Sequence, residues 1–143
     1  MNEPNIISYR ELAEGQTRER DYVITPAVYE HFLGAFDDRS PIHVDAVYAR
    51  NAGFEGPVMH GAILNGFVSH FVGMEFPGAN SLLLTVDLRF SQPSYLNDSL
   101  RLQAKIAQKL DAQQVIVLHI TVQNLTRGGA AATGRAQVKM RGE

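Results

Sequence analysis

The stretch from Gly61 to Met74 constrains this chain more than any other. Ala62, Ile63, Leu64, Phe67, Val68, Phe71 and Val72 put apolar side chains on nearly every face of a helix. A helix of that kind, too short to cross a bilayer, is one wrapped by the rest of its protein. Gly66 and Gly73 lower its intrinsic propensity by about 1 kcal/mol each, so burial has to stabilise it. Close approach of a sheet accounts for the glycines. This helix is the core element, and the strands have to be found around it.

They lie mostly downstream. Leu82, Leu84, Val86, Leu88 and Phe90 alternate with Leu83, Thr85, Asp87, Arg89 and Ser91, the period of a half-buried strand. Leu100, Leu102, Ala104 and Ile106 repeat the pattern, as do Ile116, Leu118, Ile120 and Val122, and finally Ala132, Gly134, Ala136, Val138 and Met140. Asp111-Ala112 and Arg127-Gly128-Gly129 sit where tight hairpin turns are needed, and 93–98 is a longer loop. Upstream, a strand is expected over 18–24. Thr25-Pro26 starts a helix, Thr as its cap and Pro at its first position, and Val28, Tyr29, Phe32, Leu33 and Phe36 carry it to about Asp37. A second short helix is expected from Asp45 as cap to Gly53 as stop.

Helices followed by antiparallel strands make an α+β domain, a curved sheet around one buried helix, and 1–143 reads as a single such domain. The open edges of the sheet predict a homodimer. A net charge of -2 argues against nucleic acid as a partner. The absence of cysteine excludes disulfides, thiolate metal sites and cysteine nucleophiles. The first residues show no charged-then-apolar signal pattern and no run is long enough for a membrane span, so the expected location is cytoplasmic.

The chemistry-bearing stretch is Asp38-Arg39-Ser40-Pro41-Ile42-His43, answered by His60-Gly61. Asp38 and His43 lie five residues apart on what reads as a stiff, non-helical connection, because Ser40 precedes a proline and is biased towards extended backbone. A carboxylate and an imidazole converging on one water can polarise it and return a proton elsewhere. An Asp before a proline also serves as a plain turn residue. Gly61 places an unpartnered amide at the start of the apolar helix, the kind of donor an enolate oxygen on a thioester carbonyl needs, or it simply eases packing. His60 is open between donating to a substrate, supporting another site residue and filling the core. Ser69, eight residues beyond Gly61, bonds its own helix or orients Asp38 or a water. No metal site is expected: Asp38, His43 and Asp45 lack a complementary ligand spacing.

Together, Asp38-x-Ser-Pro-Ile-His43-x-Asp45-x-x-Tyr48-Ala49, Phe54, Gly-Pro-Val-Met-His60-Gly61 and Ser69 resemble the (R)-specific enoyl-CoA hydratases of the MaoC-like dehydratase family. The resemblance implies the hot-dog fold and addition of water to a trans-2-enoyl thioester, or the reverse dehydration, with no cofactor. Asp38 and His43 match the family's catalytic pair, Gly61 its oxyanion donor and Ser69 its supporting serine. The family often has Asn where this chain has Ser40. The implied substrate carrier is CoA or acyl carrier protein, with Phe67, Phe71 and Phe90 as candidate walls of an acyl tunnel and Arg50, Arg89 and Arg127 as candidate phosphate contacts. A hot-dog thioesterase and a non-catalytic acyl-thioester-binding subunit are the alternatives.

Overall fold

The alternating segments form five strands, β1 (Thr17–Val23), β2 (Ser81–Phe90), β3 (Ser99–Leu110), β4 (Val115–Asn124) and β5 (Ala130–Met140). They pair antiparallel throughout in the order β1-β3-β4-β5-β2. The structure, a computed structural model, describes residues 2–142. Leu100, Leu102, Ala104 and Ile106 of β3 face inward with Ile116, Leu118, Ile120 and Val122 of β4 and Ala132, Ala136, Val138 and Met140 of β5. Against them lies α4 (Gly61–His70), through Ile63, Leu64 and Val68, continued by Phe71 and Val72 in a wider helical turn over Phe71–Glu75. A five-stranded antiparallel sheet around one central helix is the hot-dog fold that the resemblance implies.

Three expectations about this core need correction. The central helix is not enclosed on all sides: Ala62, Gly66, Ser69 and His70 are exposed, and a Cβ at Gly66 or Gly73 would meet nothing within 4 Å, so close approach of the sheet does not account for these glycines. Its small and polar residues gather on the face turned away from the sheet, so the run Gly61–Met74 is apolar in composition but one-sided in burial. Strand β2 also departs from simple alternation. Its pairing with β5 shifts between Leu83 and Thr85, leaving Leu82 and Leu84 at 49% and 48% exposure while Leu83, Val86 and Leu88 pack on the core. A bulge adds one residue to one strand and changes which face the next side chains take.

The helices before α4 follow their caps. Helix α1 (Pro26–Phe36) starts with Thr25 Oγ1 accepting from the Val28 amide at 3.1 Å, and α3 (Ala46–Asn51) with Asp45 Oδ1 accepting from the Val47 and Tyr48 amides, both at 3.0 Å. Between them the supposed non-helical connection contains one helical turn, α2 (Pro41–Val44). Proline's fixed φ suits the first position of a helix. The restriction it imposes falls on Ser40, which is extended with ψ 135°.

Gly134 in β5 marks the tightest approach in the sheet. A Cβ there would lie 1.8 Å from the Asp87 carbonyl oxygen of β2, a backbone atom that cannot swing away. Gly134→Ala is expected to lower the free energy of unfolding by about 2–3 kcal/mol, read as a lower urea midpoint. Gly34→Ala in α1, where an added methyl meets nothing within 4 Å, should instead raise stability by up to about 1 kcal/mol.

Candidate active site

The end of α1 decides where the first candidate group goes. Asp37 adopts a left-handed conformation (φ 52°) while its amide bonds the Leu33 carbonyl at 2.8 Å, so the chain leaves the helix in a sharp turn. Asp38 follows, half-exposed. Its Oδ1 accepts from the Ser40 amide at 3.3 Å, a turn-forming bond of the kind that aspartate makes before a proline. That leaves Oδ2 free to face inward, 4.0 Å from His60 Nε2.

His43 is held on three sides by backbone atoms and a phenol. Its amide bonds the Ser40 carbonyl at 2.8 Å, and its own carbonyl accepts from Tyr29 Oη at 2.6 Å. Burial pushes the Tyr29 hydroxyl's pKa up, which keeps it a donor. His43 Nδ1 lies 2.7 Å from the Val58 carbonyl. A carbonyl only accepts, so Nδ1 carries the proton and Nε2 is left as a bare, basic nitrogen. The Ser40 hydroxyl makes no capping bond to this turn; its backbone, with Val58 and Tyr29, holds the histidine instead. Neither Val58 nor Tyr29 carries a sequence signal for this, because both act through long-range bonds.

His60, the residue before α4, is 2% exposed. Its Nε2 donates to the Asp38 carbonyl at 2.8 Å, and its ring stacks on His43 with centroids 3.9 Å apart and planes 29° from parallel. Phe32 packs against it at 4.5 Å. A carboxylate oxygen of Asp38 and one ring nitrogen each of His43 and His60 lie within 4.8 Å of one another. The trio is a poor cation cage, since His60 Nε2 is committed to its carbonyl and stacked rings aim their in-plane lone pairs side by side.

Gly61 and His43 line one cleft of about 380 Å³, with Met59, Leu64, Phe90 and Pro93. The glycine's exposed flank is not open as expected. The Phe90 ring stands over it, its Cε2 2.9 Å from where a Cβ would be. Phe90 is itself 49% exposed, so this cover is the movable end of a side chain. Ser69 lies elsewhere: it is exposed on α4 and lines a larger apolar groove of about 1000 Å³ with Val28, Phe36, Ala62, Phe67 and Val86. Within one chain it is not joined to the cleft of His43 and Gly61. Solvent reaches it, which removes the expectation that it must bond its own helix. Phe67 stacks on Tyr22 at 4.6 Å in that groove, whereas Phe71 is fully buried in the core and is no tunnel wall.

The far wall of the cleft is pinned by a polar latch. Buried Asp98 accepts from Arg127 Nε at 2.9 Å, Asn124 Nδ2 at 2.8 Å and the Tyr95 amide at 2.9 Å. The Asp98 carboxylate raises the Arg127 pKa further. Arg127 also pairs with Glu55 and lies over the Tyr95 ring at 4.2 Å. It is therefore a structural arginine, not the free phosphate contact its surface position in the sequence suggests.

A family model, described as the MaoC like domain, matches residues 10–127. The (R)-specific enoyl-CoA hydratase of Aeromonas caviae is 29% identical over 135 residues, 94% of this chain and 99% of that protein. Among solved structures, an R-hydratase from Pseudomonas aeruginosa in the unliganded form superposes with a TM-score of 0.88 at 28% identity, covering 98% of this chain and 89% of that one. The (R)-hydratase from A. caviae, described as involved in PHA biosynthesis, superposes with a TM-score of 0.84 at 26% identity, covering 92% and 98%.

Removing the Asp98 carboxylate would strand Asn124 and Arg127. Asp98→Ala is expected to cost about 3 kcal/mol of stability, measured by urea unfolding, with the loop that carries Pro93 loosened before the rest of the fold in hydrogen exchange.

Proposed function

The chain belongs to the MaoC-like domain family, and we propose that it is an (R)-specific enoyl-CoA hydratase. It adds water to a trans-2-enoyl thioester to give the (R)-3-hydroxyacyl thioester, or runs the dehydration in reverse. The observation that carries this reading is the pairing of a half-exposed Asp38 carboxylate with a His43 whose Nδ1 proton is spent on the Val58 carbonyl. Two acceptors a few ångströms apart can hold a water molecule by both its hydrogens.

The steps follow from that water. Its oxygen bonds to C3 of the enoyl group while the Asp38–His43 pair takes one of its protons. The electrons of the C2–C3 double bond move onto the thioester carbonyl, whose oxygen becomes anionic and is received by the Gly61 amide, the first and unpartnered donor of α4. The pair then returns a proton to C2 and ends as it began. No electron carrier or electrophilic group takes part, so no cofactor is required. The acyl chain extends into apolar surroundings; the groove lined by Val28, Phe36 and Phe67 offers them, with Ser69 on its wall, and a second copy laid over the open face of α4 has to connect that groove to the cleft of His43 and Gly61 for Ser69 to support the reacting groups. Phe90 has to turn away from Gly61 for the thioester to reach the amide.

The substrate carrier is CoA or acyl carrier protein. The working unit is a homodimer: β2 ends the sheet with an uncovered edge, and its Leu83 and Val86 share a groove with the open face of α4, surfaces that a second copy would cover. No helix among the described residues is long and apolar enough to cross a membrane, and we place the enzyme in the cytoplasm.

Asp38→Asn and His43→Ala should each lower the hydration rate about 10³-fold with circular dichroism and melting behaviour close to wild type, followed by loss of the conjugated-enoyl absorbance. A His43→Ala enzyme at near wild-type rate refutes the assignment. Release of free thiol without loss of that absorbance would show a thioesterase instead, and saturable binding without turnover a non-catalytic subunit.

A further inference from the structure

We infer that His60 is a positioning residue that sets the geometry of the Asp38–His43 pair through a single hydrogen bond and a single ring face. The inference rests on the hydratase reading and goes beyond it, to a residue that touches neither water nor substrate.

The orphaned nitrogen of His60 is the starting point. Nε2 donates to the Asp38 carbonyl at 2.8 Å, which leaves Nδ1 without a proton, and Nδ1 is buried with no hydrogen-bond partner among the described residues. A buried polar atom without a partner is rare and calls for a reason. Packing does not supply one. The ring sits among Phe32, Tyr29 and His43, with centroids at 4.5, 6.1 and 3.9 Å, and a phenylalanine there would offer the same flat faces with no stranded lone pair. What a phenylalanine lacks is the Nε2 proton. The imidazole is kept for that bond, which fixes the backbone of Asp38 at the exit from α1.

The consequence reaches both members of the pair. Asp38 is half-exposed on a loop, held otherwise by one long bond from the Ser40 amide, so its carboxylate depends on where its backbone is anchored. His60 is rooted at the start of α4, whose next turn is packed in the core through Ile63 and Leu64. Its ring face is also the floor under His43. The same side chain thus ties a loop to a rigid helix and sets the spacing between carboxylate and imidazole. Losing it should misplace the reacting groups without changing how substrate is bound.

Three proteins test this: wild type, His60→Phe, which keeps the ring and removes the donor, and His60→Gln, whose amide nitrogen reaches about as far as Nε2. With a trans-2-enoyl-CoA as substrate, His60→Phe should keep KM within about threefold and lose about 100-fold in kcat, and His60→Gln should recover about tenfold of that loss. A His60→Phe kcat within about threefold of wild type, or equal losses in the two variants, overturns the proposal. Imidazole nitrogen shifts measured by NMR on the wild-type protein give a readout that needs neither turnover nor a folded variant. Protonation of His60 at Nε2 alone supports the proposal, and protonation at Nδ1 alone overturns it. A wild type with the expected shifts but no hydration of enoyl thioesters would remove the hydratase reading while leaving the anchoring of Asp38 by His60 in place.

Discussion

The structure depends on the burial of one side of α4. Ile63, Leu64 and Val68, with Phe71 and Val72 beyond them, are removed from water against the inward residues of β3, β4 and β5. Each such side chain contributes about 1.5–3 kcal/mol when fully buried, an upper estimate because unfolded chains already shield some apolar surface. That packing fixes the helix along the sheet. His60 and Gly61 stand at its first turn, so the core determines where they are, and the loops bearing Asp38 and His43 have only to dock onto a point already fixed.

The docking is done largely by backbone. The Val58 carbonyl takes the Nδ1 proton of His43, the Asp38 carbonyl takes the Nε2 proton of His60, and the His43 carbonyl takes the Tyr29 hydroxyl. Carbonyls cannot donate, so each of the two imidazole bonds also selects a tautomer. The same contacts that hold the rings leave a basic nitrogen on His43, and structure and protonation state are set together. The Asp98 latch does comparable work for the opposite wall, joining the ends of β3, β4 and the turn before β5 through one buried carboxylate.

The other side of α4 remains open within the single chain, and it carries Ala62, Gly66 and Ser69 into the large apolar groove. The β2 bulge adds to this by turning Leu82 and Leu84 outward. Both features leave apolar surface uncovered along the β2 margin of the single chain. A residue such as Ser69 acquires its surroundings from whatever covers that margin, so its place two turns along the helix from Gly61 does not by itself assign it to the same site.

By itself the sequence determined the elements whose causes are local. Thr25 and Asp45 announce α1 and α3 because their own side-chain oxygens accept from backbone amides three residues on, and the apolar alternation of 100–106 and 116–122 predicts strands because pleating has a period of two. The spacing of Asp38, His43 and His60-Gly61 pointed to the family, and through it to the hot-dog fold. Only the tertiary structure decided which face of α4 is buried, where β2 bulges, that the Phe90 ring covers Gly61 and that Phe71 is core, since each follows from a surface supplied by another part of the chain. His60 shows the division most clearly. Its identity was plain beside Gly61, but its bond to a carbonyl twenty-two residues earlier and its stacking on His43 exist only once α1, α2 and α4 have packed together, because hydrogen bonds and ring contacts are made by proximity in space, which spacing along the chain does not encode.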